Sequence, residues 1–333
     1  MGMLIDGDWY ADADRTQKDG AFRRETSALP EIPSELLAMR LNEKLGPILV
    51  ASLSCPWSHR TTLVRAMKSL KKVPVVIAGG PRTEGYALAD TNPLKVGNEQ
   101  IRHAHQLYRA SDASYTGRAT VPLLWDAQAQ TILSNDSATI ARAMDMAGSG
   151  WRLAPDAQAN EIDAINARIY DELANAVYRA GFATAQQAYE TAVSDVYATL
   201  DWLENLLTRQ RCLLGAQVTE ADLFLFATLV RFDAAYAPLF RFTRRRLIDY
   251  PALWAYARDV YQWPGVAETV DFTANLEGYF LNDTDNNPHG IVPDLPEIDW
   301  NDPHGREALG SLAVWQNGLQ ILIGECAGMN HDR

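Results

Sequence analysis

A small mixed α/β domain followed by an all-helical domain is the fold class this sequence predicts, on three observations. Apolar segments of strand length alternate with helical segments as far as residue 147. Beyond Gly148 apolar positions recur at helical spacing and no convincing alternation remains. The chain has 333 residues, 47% of them hydrophobic, which is more than one minimal domain needs.

Residues 1–46 are polar and irregular, with Pro30 and Pro33, and read as an N-terminal arm. Pro47 to Leu53 is a continuous apolar run of strand length, ending at Ser54. From Pro56 to Lys71 the period becomes helical: Trp57, Leu63, Val64, Met67 and Leu70 fall largely on one face, with Arg60, Arg65 and Lys68 at polar positions. Val73 to Ala78 is a second strand, and Gly79 to Tyr115 is loop-rich with one short helix around His103 to Ala110. Ala119 to Trp125 reads as a third strand interrupted by Pro122, and Thr131 to Leu133 as a fourth after a turn. Asn135-Asp136-Ser137 opens a helix running to about Met146, closing a domain over 47–150.

Helical spacing at Glu161–Gly181, Thr184–Leu207, Glu220–Tyr236 and Leu253–Val260 makes 151–281 an all-helical domain. Thr219 and Asp222 have the spacing of a capping box, flanked by Val218 and Leu223 as a hydrophobic staple. Residues 282–333 form a C-terminal extension, rich in Asn, Asp and Pro to Gly305, with weak helical periodicity over Leu309 to Ile323.

A net charge of −12 supplies no basic excess to displace counterions from a phosphate backbone, so nucleic acid is not an expected partner. Arg241, Arg244, Arg245 and Arg246 read equally as a solvated helix face or a dimer contact. The start of the chain turns acidic at Asp6 without a basic-then-apolar leader, and no run reaches the roughly 18 apolar residues of a membrane helix. A cytoplasmic protein without a membrane partner is expected. Cys55, Cys212 and Cys326 are too few and too scattered for a disulfide framework or a four-thiolate metal site. Cys55 with His59 lacks a third ligand, and His103 and His105 alternate without helpful neighbours, so no metal is expected.

Cys55 stands where the first strand meets the first helix, followed by Pro56 at the position that needs no intrahelical N–H. Unpaired amides and the positive end of a helix favour a thiolate there, and His59 and Arg60 offer further positive charge. The alternative is a buried thiol that merely packs. With no second cysteine nearby, any disulfide that Cys55 forms is a mixed one with a small thiol. Val121-Pro122 fits either a cis bond that turns backbone groups toward a ligand or a trans proline on an edge strand. Asp136 and Ser137 fit a helix terminus that binds a ligand, or a plain N-cap. Tyr178, Tyr236 and Tyr279 fit core tyrosines as well as ligand-binding phenols.

Taken together, these segments resemble one family, the glutathionyl-hydroquinone reductases, or Xi-class glutathione transferases. The most specific stretch is Ser52-Leu53-Ser54-Cys55-Pro56-Trp57-Ser58-His59-Arg60, which carries the Cys-Pro-Trp-x-His-Arg signature. Gly117 to Asp126, Ser134 to Ser137, Val177 to Ala183, Leu229 to Asp233 and Asp249 to Trp254 match in order, so the likeness spans about Gly7 to Arg306.

The resemblance implies a thioredoxin-like first domain and the all-α C-terminal domain of a glutathione transferase. It implies Cys55 as the catalytic residue and glutathione as co-substrate. Tyr86, Val121, cis-Pro122, Asp136 and Ser137 would bind glutathione, and Tyr178, Tyr236 and Tyr279 would line a hydroquinone pocket. Small aromatic glutathionyl adducts are the implied substrates and a homodimer the implied assembly. The expected reaction is reduction of glutathionyl-(hydro)quinones through a Cys55–glutathione mixed disulfide. Its rivals are thiol transfer on other small adducts or disulfides, and a non-enzymatic scaffold. The sequence departs from the family where Tyr86 replaces Trp, Asp136 replaces Glu, and Phe280 and Asp283 replace a Tyr and a His.

Overall fold

The computed structural model describes residues 2–11, 18–24 and 27–323; Cys326 lies outside them. In place of an irregular arm, β1 (Met3–Ile5) and β2 (Asp8–Tyr10) form an antiparallel hairpin. Its turn residues Asp6 and Gly7 have φ of 49° and 81°, the left-handed pair that a two-residue hairpin turn requires. Three-residue strands are too short for alternation to register, which left only Asp-Gly as a signal. Helix α1 (Ser34–Leu41) then buries Leu37, Ala38 and Leu41 against the core.

The sheet is built from β3 (Ile48–Ala51), β4 (Val75–Gly79), β5 (Ala87–Leu88), β8 (Leu123–Asp126) and β9 (Thr131–Ser134), in the order β5-β4-β3-β8-β9. Helix α2 (Pro56–Met67) crosses between β3 and β4, which are parallel; β8 runs antiparallel to both β3 and β9. Between β5 and β8 come a small hairpin of β6 (Lys95–Val96) and β7 (Glu99–Gln100) and the helix α3 (Ala104–Ser111). Alternation along the strands divides the core in two. Val50, Leu123, Trp125 and Ile132 pack with Leu107 and Tyr108 of α3. Leu49, Ala51, Leu124 and Leu133 pack with α2 and with α4 (Ser137–Ala147) in a cluster that continues into the helical half. The expected strand from Ala119 begins only at Leu123, because Val121–Pro122 is cis and lies outside the ladder.

The helical half comprises α5 (Ala159–Ile169), α6 (Ala176–Gly181), α7 (Gln186–Leu207), α8 (Glu220–Leu229), α9 (Ala237–Phe240), α10 (Pro251–Tyr261) and α11 (Phe272–Phe280). Two segments expected to be single helices are interrupted by wide π-helical turns, Tyr170–Ala174 and Phe232–Tyr236. Such turns rotate the following residues away from the regular helical face, often at functional sites. Here Tyr170, in the first of them, lines a cleft together with Tyr178. Every residue of α8 is buried. The stretch Glu220–Phe240 is long and apolar enough to cross a membrane, but 89% of its most apolar window is buried inside the protein, as in a core helix. Its capping box forms, with Asp222 accepting from Thr219 N at 2.9 Å, and both staple residues are buried.

Helix α11 was not foreseen; its nine residues are capped by the Asp271 carboxylate, which accepts from Ala274 N at 2.8 Å. The segment 282–305 contains neither helix nor strand. Buried Arg306 then donates to the carbonyls of Leu207, Gln210 and Arg211 at 3.0, 2.5 and 3.0 Å, satisfying groups at and beyond the α7 C-terminus. The weak helical periodicity of Leu309 to Ile323 gives way to a hairpin of β10 (Leu312–Gln316) and β11 (Leu319–Ile323). Asn317 and Gly318, at φ 52° and 80°, make the turn. Asn-Gly between apolar runs is the signal that outweighs the periodicity.

Candidate functional site

Cys55 is the N-cap of α2, with extended backbone, and Pro56 occupies the first turn. The geometry leaves the first amides of α2 without intrahelical partners beside the sulfur. The sulfur lies 3.4 Å from the carbonyl oxygen of Val121, across the cis bond from Pro122. The turn from β3 to Cys55 is held from within: Ser52 N donates to Ser58 Oγ at 3.1 Å, and Ser52 and Ser54 hydroxyls lie 3.3 Å apart.

The charges around this turn differ from those expected. His59 is buried, and desolvation together with the nearby Arg231 guanidinium holds its imidazole well below the usual histidine range. Arg231 can only donate, so His59 Nδ1 accepts from it at 2.9 Å and Nε2–H donates to Thr269 Oγ1 at 2.8 Å. His59 is therefore a neutral positioning group and supplies no charge to Cys55. Arg60 is sandwiched between the rings of Trp57 and Phe224 at 4.4 and 4.5 Å, with burial lowering its pKa to about 10. The cations beside the cysteine turn come from elsewhere. Arg231 donates to the carbonyls of Leu53 and Ser54 at 2.8 and 3.1 Å, and Arg82 donates to Ser54 Oγ at 3.0 Å.

Cys55 opens onto a cavity of about 290 Å³. Tyr86, Val121, Pro122, Asp136 and Ser137 line it with Cys55, and Tyr178 and Tyr279 close the opposite side. Tyr86 is buried beneath Arg82, whose guanidinium lies 4.4 Å from the ring centre. Burial raises its phenol pKa, and the nearby Cys55 adds to the shift. Asp136 caps α4, accepting from Thr139 N at 2.7 Å, so its N-cap role and its place on the cavity wall coexist.

The three tyrosines meet through their hydroxyls. Tyr279 lies 2.6 Å from Tyr178 and 3.0 Å from Tyr236, which are 3.4 Å from each other. Burial raises all three pKa values, so the phenols remain neutral donors. Tyr236 is fully buried behind the other two and does not line the cavity. Of the two departures after Tyr279, Asp283 lines the cavity and accepts from Asn286 N at 3.2 Å, whereas Phe280 is buried in the core and is not part of the cavity lining.

Several lining residues were not singled out from the sequence. Phe22, Arg23 and Arg24 come from the N-terminal segment, and Arg82 and Arg118 from loops. Arg24 lies 4.9 Å from the Trp57 ring centre and 5.4 Å from that of Tyr178, and donates to Asn175 Oδ1 at 2.9 Å. No local pattern marks such residues, since only long-range folding brings them to the cysteine. The arginines distant in sequence at Arg241, Arg244, Arg245 and Arg246 find partners of their own, including Asn286, the Tyr197 ring, Asp201 and Asp249.

Residues 54–147 match the family "Glutathione S-transferase, N-terminal domain", and residues 186–259 match "Glutathione S-transferase, C-terminal domain". The chain is 40% identical to glutathionyl-hydroquinone reductase YqjG of Escherichia coli, over 92% of this chain and 99% of that protein. Its identity to glutathionyl-hydroquinone reductase PcpF of Sphingobium chlorophenolicum is 38%, over 88% and 96%. This chain belongs to the Xi class of glutathione transferases. The solved structures agree in architecture. Glutathione-bound YqjG superposes with a TM-score of 0.78 at 39% identity, covering 92% of this chain and 99% of that one. The Xi-class transferase from Natrialba magadii gives 0.79 at 33% identity, over 92% and 97%. The thioredoxin-like first half and all-helical second half are those of a glutathione transferase.

Proposed function

We propose that this Xi-class transferase reduces glutathionyl-(hydro)quinones, with Cys55 as the nucleophile and glutathione as co-substrate. The observation that carries the reading is the shared cavity: one thiol at a helix N-terminus shares it with Tyr178 and Tyr279, two members of a hydrogen-bonded trio of neutral phenols. YqjG and PcpF are glutathionyl-hydroquinone reductases. Arginines at 23, 24, 82 and 118 line the cavity of a chain whose net charge is −12, which favours an anionic peptide such as glutathione.

In the proposed cycle the Cys55 thiolate attacks the glutathionyl sulfur of the adduct. A Cys55–glutathione disulfide forms as the carbon–sulfur bond breaks, and the aromatic carbon takes up a proton to leave as hydroquinone. A second glutathione thiolate attacks that disulfide, releasing oxidised glutathione and restoring Cys55. One adduct is thus reduced by two electrons as two glutathione sulfurs are oxidised. Val121 and cis-Pro122 would present backbone groups to the tripeptide, with Tyr86, Asp136 and Ser137 around it. Tyr178 and Tyr279 would donate to the aromatic oxygens, and Tyr236 would act by orienting them. In this arrangement the proposed 47–150 domain supplies the thiol chemistry and the 151–281 domain the aromatic pocket, with Phe22, Arg23, Arg24, Asn282 and Asp283 completing the cavity wall. Two copies are proposed to form a homodimer, which a two-chain mass by light scattering would establish.

The test compares wild type with Cys55→Ser on glutathionyl-menadiol. Turnover falls to background, and intact mass no longer gains one glutathione after exposure to oxidised glutathione. Substantial turnover by Cys55→Ser would overturn the assignment. Cys212 is fully buried, and desolvation pushes its thiol well above the usual range, so Cys212→Ser retains activity.

A further inference from the structure

On the far side of the loop that carries Arg82 and Tyr86 lies a second cluster that the cysteine chemistry does not use. Glu84, His103 and His105 each direct one ligand atom inward, all within 4.8 Å of one another. Glu84 Oε2 is 3.5 Å from His103 Nδ1 and 3.9 Å from His105 Nε2. Ligands held at about 2.0–2.1 Å around a tetrahedral zinc ion stand about 3.3 Å apart, so a small inward movement closes the set.

Two further observations point to a ligand there. His105 Nε2 is buried and has no hydrogen-bond partner among the described residues, an arrangement that leaves a polar atom unsatisfied unless something occupies the space before it. Its ring is also fixed, stacked between the Trp9 ring at 4.7 Å and the His103 ring at 5.5 Å. His103 is the N-cap residue of α3, and Gln106 N retains the His103 carbonyl as acceptor at 3.1 Å if the ring turns to a metal. Arg109, one turn along α3, works against any cation and limits the affinity.

We propose that Glu84, His103 and His105 form a site for a divalent transition metal of the zinc type. Two imidazoles and one carboxylate suit zinc or cobalt rather than calcium or magnesium, which prefer all-oxygen sites. The remaining coordination positions would be taken by water. Such an ion would tie the 82–86 loop to α3 and to the N-terminal hairpin, bracing Arg82 and Tyr86 from behind, and would take no part in thiol chemistry.

The experiment titrates Co²⁺ into the full chain carrying Cys55→Ser, so that the active-site thiol cannot contribute. One ion per chain is expected, with the visible absorption of a low-coordinate cobalt centre that Zn²⁺ abolishes by displacement. Adding Glu84→Gln, at an exposed position where folding is not at stake, or His105→Ala, removes that absorption and weakens binding at least tenfold. In the otherwise unaltered enzyme, Glu84→Gln abolishes any rise in melting temperature produced by Zn²⁺. Absence of a bound ion at millimolar Co²⁺, or undiminished binding in both variants, would overturn the proposal.

Discussion

Replacing Arg231 by methionine tests how the cysteine turn is held. The guanidinium is fully buried, forms no ion pair among the described residues, and donates to four acceptors: the carbonyls of Leu53, Ser54 and Ala227, and His59 Nδ1. Methionine fills similar volume but donates nothing. A buried acceptor left unpaired costs about 1–3 kcal/mol. Removing a desolvated charge offsets part of the loss over several such acceptors, leaving a net destabilisation of about 3–5 kcal/mol. At roughly 2 °C per kcal/mol, the low end for domains of about 150–250 residues, the melting temperature falls by about 6–10 °C. Because Leu53 and Ser54 precede Cys55 directly, the sulfur loses its register with Val121. Formation of the glutathione mixed disulfide, followed by stopped-flow mass analysis, then slows by about tenfold to a hundredfold. Arg231→Lys recovers part of the stability by bonding one or two of the carbonyls. A variant with methionine at this position that melts within about 1 °C of wild type and loads glutathione at the same rate would refute the argument.

Three further changes probe the same neighbourhood. Tyr279→Phe removes the hydroxyl shared by Tyr178 and Tyr236; turnover of aromatic adducts drops about tenfold while mixed-disulfide formation from oxidised glutathione is unchanged, a split measured by steady-state assay and intact mass. Gly278→Ala places a Cβ 2.3 Å from Ser54 Cβ and 2.5 Å from its hydroxyl, so α11 must move off the cysteine turn, lowering stability by about 1–3 kcal/mol in denaturant titration together with activity. His59 has a folded pKa depressed below its ordinary 6.5, so the unfolded chain binds the extra proton: its contribution is complete above about pH 6.5 and is lost as pH falls, by up to about 1.4 kcal/mol per pH unit. His59→Gln therefore shows a smaller drop in melting temperature between about pH 7.5 and 5.5 than wild type; an equal drop contradicts a buried neutral imidazole.

Local chemistry was enough to expose the cysteine and the division into halves. A strand that ends in Ser-Cys-Pro before a helical period places Cys55 at an N-cap wherever the rest of the chain goes, because capping and period depend on neighbours in sequence. The same holds for Asp136 at α4 and for the capping box at Thr219. What failed locally was brief or mixed in signal. The two terminal hairpins rest on Asp6-Gly7 and Asn317-Gly318 rather than on alternation, and α11 is only nine residues long. The π-helical turns at Tyr170 and Phe232 interrupt apolar patterns that read as continuous helices.

Cys55 as an N-cap thiol at the strand–helix junction was determined by the sequence alone. Tertiary structure decided which charges surround it. The neighbouring His59 and Arg60 are turned into a neutral hydrogen-bond relay and an aromatic sandwich, while Arg231 and Arg82 arrive from 176 and 27 residues away to hold the turn. It also joined three tyrosines from separate segments into one hydroxyl cluster, and set Glu84 between two histidines that in sequence stand without it. The reason is physical: backbone caps and periods are settled within a few residues. Burial, which fixes protonation and brings distant polar groups into contact, exists only once the chain has packed.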